Sequence, residues 1–178
     1  MDKFSVLQQY FGHNSFRPGQ EQVVDAIVSG QDVLGVMPTG AGKSVCYQVP
    51  AMLMPGLTLV ISPLISLMQD QVAALEEEGV HAACLNSALP EGLYSTILRA
   101  ALEGDYKILY VAPERLLTAS FLYLATPAPT AFVAVAEAHC VSQWAQDFRP
   151  TYPKIAEFIS ILAYRPVTGA VPATATDQ

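Results

Sequence analysis

The chain has 178 residues, enough for one domain with its own core and too few for two comfortable ones. Just over half are hydrophobic and 14% are charged, which argues against a disordered chain; no stretch approaches the roughly 18 apolar residues of a membrane span or forms a secretory leader, so a cytoplasmic protein is expected. The net charge of −7, with only nine Lys and Arg, excludes a protein whose whole surface grips DNA and leaves room for a local groove.

Two helical stretches come first, around Phe4 to Phe11 and from Gln20 to Val28. Six strands are then expected at Asp32–Met37, Leu57–Ser62, His81–Leu85, Lys107–Val111, Ala131–Val135 and Val167–Val171, since each run is short and continuously apolar, as in buried parallel strands. After Ser62 as cap and Pro63 in the first turn, Leu64, Leu67, Met68, Val72 and Leu75 share one helix face that Gly79 ends. Leu93, Ile97, Leu98, Ala101 and Leu102 form a second apolar stripe, closed by Gly104. Strand–helix–strand repetition predicts right-handed crossovers and an α/β fold of three layers around a mostly parallel sheet. Cys46, Cys84 and Cys140 are widely separated and read as neutral thiols.

The sharpest chemistry lies at Met37-Pro38-Thr39-Gly40-Ala41-Gly42-Lys43-Ser44, between a predicted strand and a predicted helix. Gly40 and Gly42 let backbone amides turn inward around a phosphate at the positive end of that helix, with Thr39 and Ala41 completing the loop. Lys43 would reach the β- and γ-phosphates, and Ser44 would offer its hydroxyl to Mg²⁺. The loop departs from GxxxxGK[ST] at its first position, where Met37 replaces Gly. ATP and Mg²⁺ are the expected cofactors.

The form PTGxGKS without a leading Gly resembles motif I of superfamily 2 helicases, and further runs resemble the RecQ family of ATP-dependent DNA helicases. Phe16-Arg17-Pro18-Gly19-Gln20 is similar to motif 0, which implies that Gln20 binds the adenine edge while Arg17 and His13 sandwich the ring. Ser62 to Gln71 is similar to motif Ia, and Tyr110 to Leu116 to the segment that follows it. Val135-Ala136-Glu137-Ala138-His139 resembles motif II, the DEAH box, running through Gln143 and Trp144 into an aromatic-rich loop with Phe148 and Arg149. Thr174-Ala175-Thr176 resembles motif III. The resemblance implies that Glu137 orients the attacking water and that His139 and Gln143 link the phosphates to the loop. Trp144, Phe148 and Arg149, with Thr174 and Thr176, would then couple hydrolysis to single-stranded DNA.

The resemblance covers residues 1–178 as one RecA-like P-loop domain, with the motif 0 helices in residues 1–30. It implies 3′-to-5′ unwinding of duplex DNA in recombination and repair, in the cytoplasm or nucleoid of a bacterium. A second RecA-like domain, a zinc-binding segment and a winged helix are expected to be absent, so the chain is expected to be an ATP-binding half. Motif II carries Ala136 where the family has the Asp that holds Mg²⁺, which implies impaired hydrolysis. Two other readings stay open: a silent nucleotide- or DNA-binding module, favoured by Ala136, and a small-molecule P-loop kinase, opposed by Met37 and the aromatic-rich loop.

Overall fold

A computed structural model of the chain describes residues 1–34, 44–63, 65–86, 89–125, 130–136, 152–162 and 165–170. Among these residues six parallel strands form one sheet in the order β1-β6-β5-β2-β4-β3: β1 is Val33–Leu34, β2 Leu57–Ile61, β3 Ala82–Leu85, β4 Ile108–Val111, β5 Thr130–Val135 and β6 Val167–Ala170. Every strand expected from apolar runs is present, within a residue or two at each end where the described residues allow comparison.

Among the described residues, seven helices cover the sheet: α1 Lys3–Phe11, α2 Gln20–Val28, α3 Val45–Leu53, α4 Ile65–Glu77, α5 Glu91–Leu102, α6 Ala119–Ala125 and α7 Tyr152–Ile161. A short 3₁₀ turn, Pro113–Arg115, follows β4. Side chains alternate along the strands and divide the core in two. Leu59, Ile61, Leu109, Val111, Val133 and Val135 face one layer, packed in the cluster that holds Tyr94, Leu98, Phe121, Ile155 and Phe158. Val60, Ile108, Tyr110, Phe132, Ala134 and Ala136 belong to the opposite cluster, with Ile27, Cys46, Tyr47, Met68 and Leu75. The three-layer α/β architecture follows from this alternation.

Local chemistry sets the helix ends. The Asp2 carboxylate accepts from the Ser5 amide at 2.7 Å, capping α1, and Gly12 ends that helix at φ 72°. Gly79 and Gly104 do stand just beyond α4 and α5, at φ 86° and 90°, a conformation that costs glycine little. One expectation fails on α5: Leu93 is 49% exposed, and Tyr94 takes the buried place instead. Residue 93 lies a quarter-turn off the line through Leu98 and Ala101, so the apolar stripe starts at Tyr94.

Both outer strands are short. Among the described residues β3 pairs only with β4, and the amide of Ala82, pointing away from β4, donates to the Glu76 carboxylate at 2.8 Å. On the other side, Asp32 precedes β1 and holds Arg165 at 2.6 Å and the Thr168 amide at 2.9 Å, which fixes β6 beside β1. The Arg165 guanidinium holds the Asp32 carboxyl below the usual carboxylate range. Among the described residues, no helix is long and apolar enough to cross a membrane.

Candidate functional site

Because all six strands run the same way, their C-terminal ends lie along one edge of the sheet, where α/β folds carry their ligand sites. The β1 strand leads toward the phosphate-loop sequence, β2 ends just before Ser62, and β5 ends just before Ala136. Ser44 stands at the start of α3 with φ −64° and ψ −30°, already helical. Its carbonyl accepts from the amides of Tyr47 and Gln48 at 3.2 and 2.9 Å, while its side chain makes no capping bond. The hydroxyl is therefore not committed to closing the helix.

Beside it, Gly19 at φ 88° turns the chain into α2 and sets Gln20 at that helix's first position. Gln20 is 3% exposed, and its Oε1 accepts from the Arg17 amide at 2.8 Å. A buried amide side chain held this way has a fixed orientation, which suits it to reading one edge of a planar ligand. Gln20 forms one wall of a cavity of about 490 Å³, together with Gly12 to Arg17 and Val45. The volume lies in the ordinary range for small-molecule sites. His13 and Arg17 are exposed at its rim. Three residues separated from one another by sequence thus converge with the first residue of α3.

Ala136 is 9% exposed, and its amide donates to the Ile61 carbonyl at 2.9 Å, continuing the ladder one step past β5. Its methyl belongs to the same cluster as Cys46 and Tyr47 of α3, so position 136 faces the layer that bears Ser44. A carboxylate there would point to the side of the sheet where the helix after the phosphate loop begins. Burial pushes the neighbouring Cys46 thiol up to about 11, and the half-buried Cys84 thiol is raised for the same reason; both cysteines are free.

Of the other residues singled out in the sequence, Thr39, Gly40, Ala41, Gly42, Lys43, Glu137, His139, Gln143, Trp144, Phe148, Arg149, Thr174 and Thr176 lie outside the described residues. Sequence reasoning did not single out Val45, Asn14 or Ser15 as lining, nor Tyr47; Gln71 entered only as the last residue of the motif Ia run, without its bond to Tyr47, which joins α3 to α4 at 2.6 Å. The cavity residues carry no chemical signature of their own; Tyr47 and Gln71 could have been noticed only as polar groups on otherwise apolar helix faces.

The sequence matches the DEAD/DEAH box helicase family over residues 17–178. It is 50% identical over 151 residues to the ATP-dependent DNA helicase RecQ of Haemophilus influenzae, covering 85% of this chain and 24% of that protein. The RecQ protein of Pasteurella multocida is 48% identical over 170 residues, covering 96% of this chain and 27% of the relative. The chain therefore spans about a quarter of the length of these relatives. In structure it is similar to a hypothetical ATP-dependent RNA helicase from Sulfolobus tokodaii, with a TM-score of 0.75 at 18% identity over 98% of this chain and half of that one. The parallel sheet, the cavity at the head of α3 and the match along nearly the whole sequence agree: the chain belongs to the DEAD/DEAH box helicase family.

Proposed function

We propose that this chain is the nucleotide-binding half of a RecQ-type ATP-dependent DNA helicase, acting 3′ to 5′ on duplex DNA in recombination and repair. The observation that carries this reading is the buried Gln20, held by the Arg17 amide in the wall of a cavity that ends at Val45, one residue from Ser44. Adenine fits that cavity, with the Gln20 amide against its edge and the His13 and Arg17 side chains on its faces. The phosphates then run toward Ser44 and the loop of Thr39 to Lys43, where Lys43 neutralises charge and backbone amides cradle the β-phosphate. Bound ATP supplies the anhydride bond whose cleavage drives the cycle. Glu137 orients water for its attack, and His139, Gln143, Trp144, Phe148, Arg149, Thr174 and Thr176 connect that event to a DNA strand. Unwinding requires a second RecA-like domain beside this one, and the reading places the protein in the cytoplasm or nucleoid.

Magnesium fits less well. Ser44 offers one oxygen, but position 136 offers a methyl group where the motif II pattern has a carboxylate. The residues present do not make a complete metal site, and turnover falls by orders of magnitude for that reason. That same methyl group favours a second reading, a module that binds nucleotide or DNA without hydrolysing ATP.

Calorimetry of nucleotide binding tests the proposal. The native chain is expected to bind ATP, while Lys43→Ala weakens binding at least tenfold and Gln20→Leu removes the preference for ATP over GTP. Equal affinity for all four nucleoside triphosphates in the native chain, or full binding by Lys43→Ala, would overturn it.

A further inference from the structure

A chain of mostly buried polar side chains links β4, α3 and α4. The Gln48 amide donates to the Tyr110 hydroxyl on β4 at 2.9 Å, its neighbour Tyr47 donates to Gln71 Oε1 on α4 at 2.6 Å, and Tyr47 and Tyr110 share one buried cluster. Tyr47, Gln48 and Tyr110 are at most 5% exposed. Burial pushes both phenols up, Tyr110 to about 12, so the chain stays neutral at any working pH. Water does not reach the Gln48–Tyr110 bond, and the Tyr47 hydroxyl belongs to a side chain buried in the same cluster, so a displaced member either drags its partner along or leaves a buried polar group unsatisfied.

The backbone makes this lateral link more important. Pro50 sits inside α3 and has no N–H to return to the Cys46 carbonyl, so one tie between the first turn and the rest of the helix is missing. The turn from Ser44 to Gln48 is held sideways by its side chains where it is less firmly held along its own axis. On the receiving side, α4 buries only Met68 and Leu75 fully, and Gln71 lies between them. A shift of Ser44 thus has a short route to α4 through Tyr47 and Gln71.

We propose that Tyr47 and Gln71 are positioning residues that make α4 register nucleotide at the head of α3. The inference rests on the nucleotide reading above. It is tested by hydrogen–deuterium exchange on the full chain with and without saturating ADP, in the native protein, Tyr47→Phe, Gln71→Met and the double variant. In the native chain ADP slows exchange both at residues 12–24, around the cavity, and at residues 65–77, in α4. The slowing in α4 is expected to be about fivefold, the scale of one net hydrogen bond. Tyr47→Phe keeps the response at 12–24 and loses the response at 65–77, and the double variant is no worse than either single. A merely structural role would raise α4 exchange equally with and without ADP, and that outcome overturns the proposal. So does a native chain that responds at 12–24 alone. ADP that protects neither region overturns the nucleotide reading as well, which distinguishes the two failures. Should Tyr47→Phe fold poorly, Gln71→Met, which changes a half-buried acceptor on α4, carries the test.

Discussion

Replacing Ala136 by Asp should lower the stability of the empty protein and raise its response to magnesium nucleotide. Position 136 is 9% exposed, lies in an apolar cluster with Cys46 and Tyr47, and has its amide bonded to Ile61. A carboxylate placed there without a partner costs about 1–3 kcal/mol, the penalty of an unsatisfied buried polar group. For a chain of this size each kcal/mol moves the midpoint by about 2–4 °C, so the variant should melt about 2–12 °C below the native chain in EDTA. Burial raises a carboxyl pKa in the folded state. The folded variant therefore binds a proton that the unfolded chain has released, and the penalty grows as pH rises above about 4, then levels off above the folded pKa. Magnesium nucleotide reverses the sign: at about a hundredfold excess over Kd, ligand binding returns about 2.7 kcal/mol. Thermal melts in EDTA, in magnesium and in magnesium–ATP, alongside a steady-state ATPase assay, measure each part. An Asp variant that melts like the native chain in EDTA, gains no extra stabilisation from magnesium–ATP and hydrolyses no faster would refute the placement of residue 136 beside the phosphates.

Two further outcomes test the frame that holds the site. Asp32→Asn should lose the link to Arg165 and weaken the bond to the Thr168 amide. Because the Asp32 pKa is depressed in the folded state, its contribution is present above the unfolded value near 3.9 and fades as pH falls through the folded value. Both side chains are well exposed, so the loss should stay below about 1 kcal/mol, visible as a small drop in Tm at pH 7 that disappears in acid. Gly169→Ala should destabilise by about 1–3 kcal/mol, since its new Cβ would meet the Phe132 ring at 3.1 and 3.3 Å and Ile27 at 3.4 Å. Urea unfolding reads this as a lower midpoint at an unchanged slope.

The strands were readable because buried parallel strands are continuous apolar runs, and LTLVI, KILYV and AFVAV admit little else. The two terminal-side helices and the stops at Gly79 and Gly104 were readable for similar local reasons. What escaped depended on contacts from afar. α7 carries Ile155 and Phe158 at helical spacing, with Leu162 one residue past its end, but this stripe is short and follows directly on the aromatic-rich run, whose residues break the period. α6 is only seven residues long, too short for a period to stand out. At the site, His13, Arg17 and Gln20 were named from a motif, and the structure does bring them together in one cavity wall. The Tyr47–Gln71 link was not legible, because nothing in either residue's neighbourhood says which polar side chain will meet it across the layer.

The Glu76 carboxylate on the Ala82 amide bears on how copies of this protein meet one another. An incoming strand that sought to lengthen the sheet beyond β3 would need that outward amide as a donor, and would have to displace an anion to reach it. The edge is guarded by a side chain from a helix rather than by a proline or a bulge. A substitution at Glu76 would thus open a register for strand addition, and with it fibre-like self-association, at the opposite end of the sheet from β1.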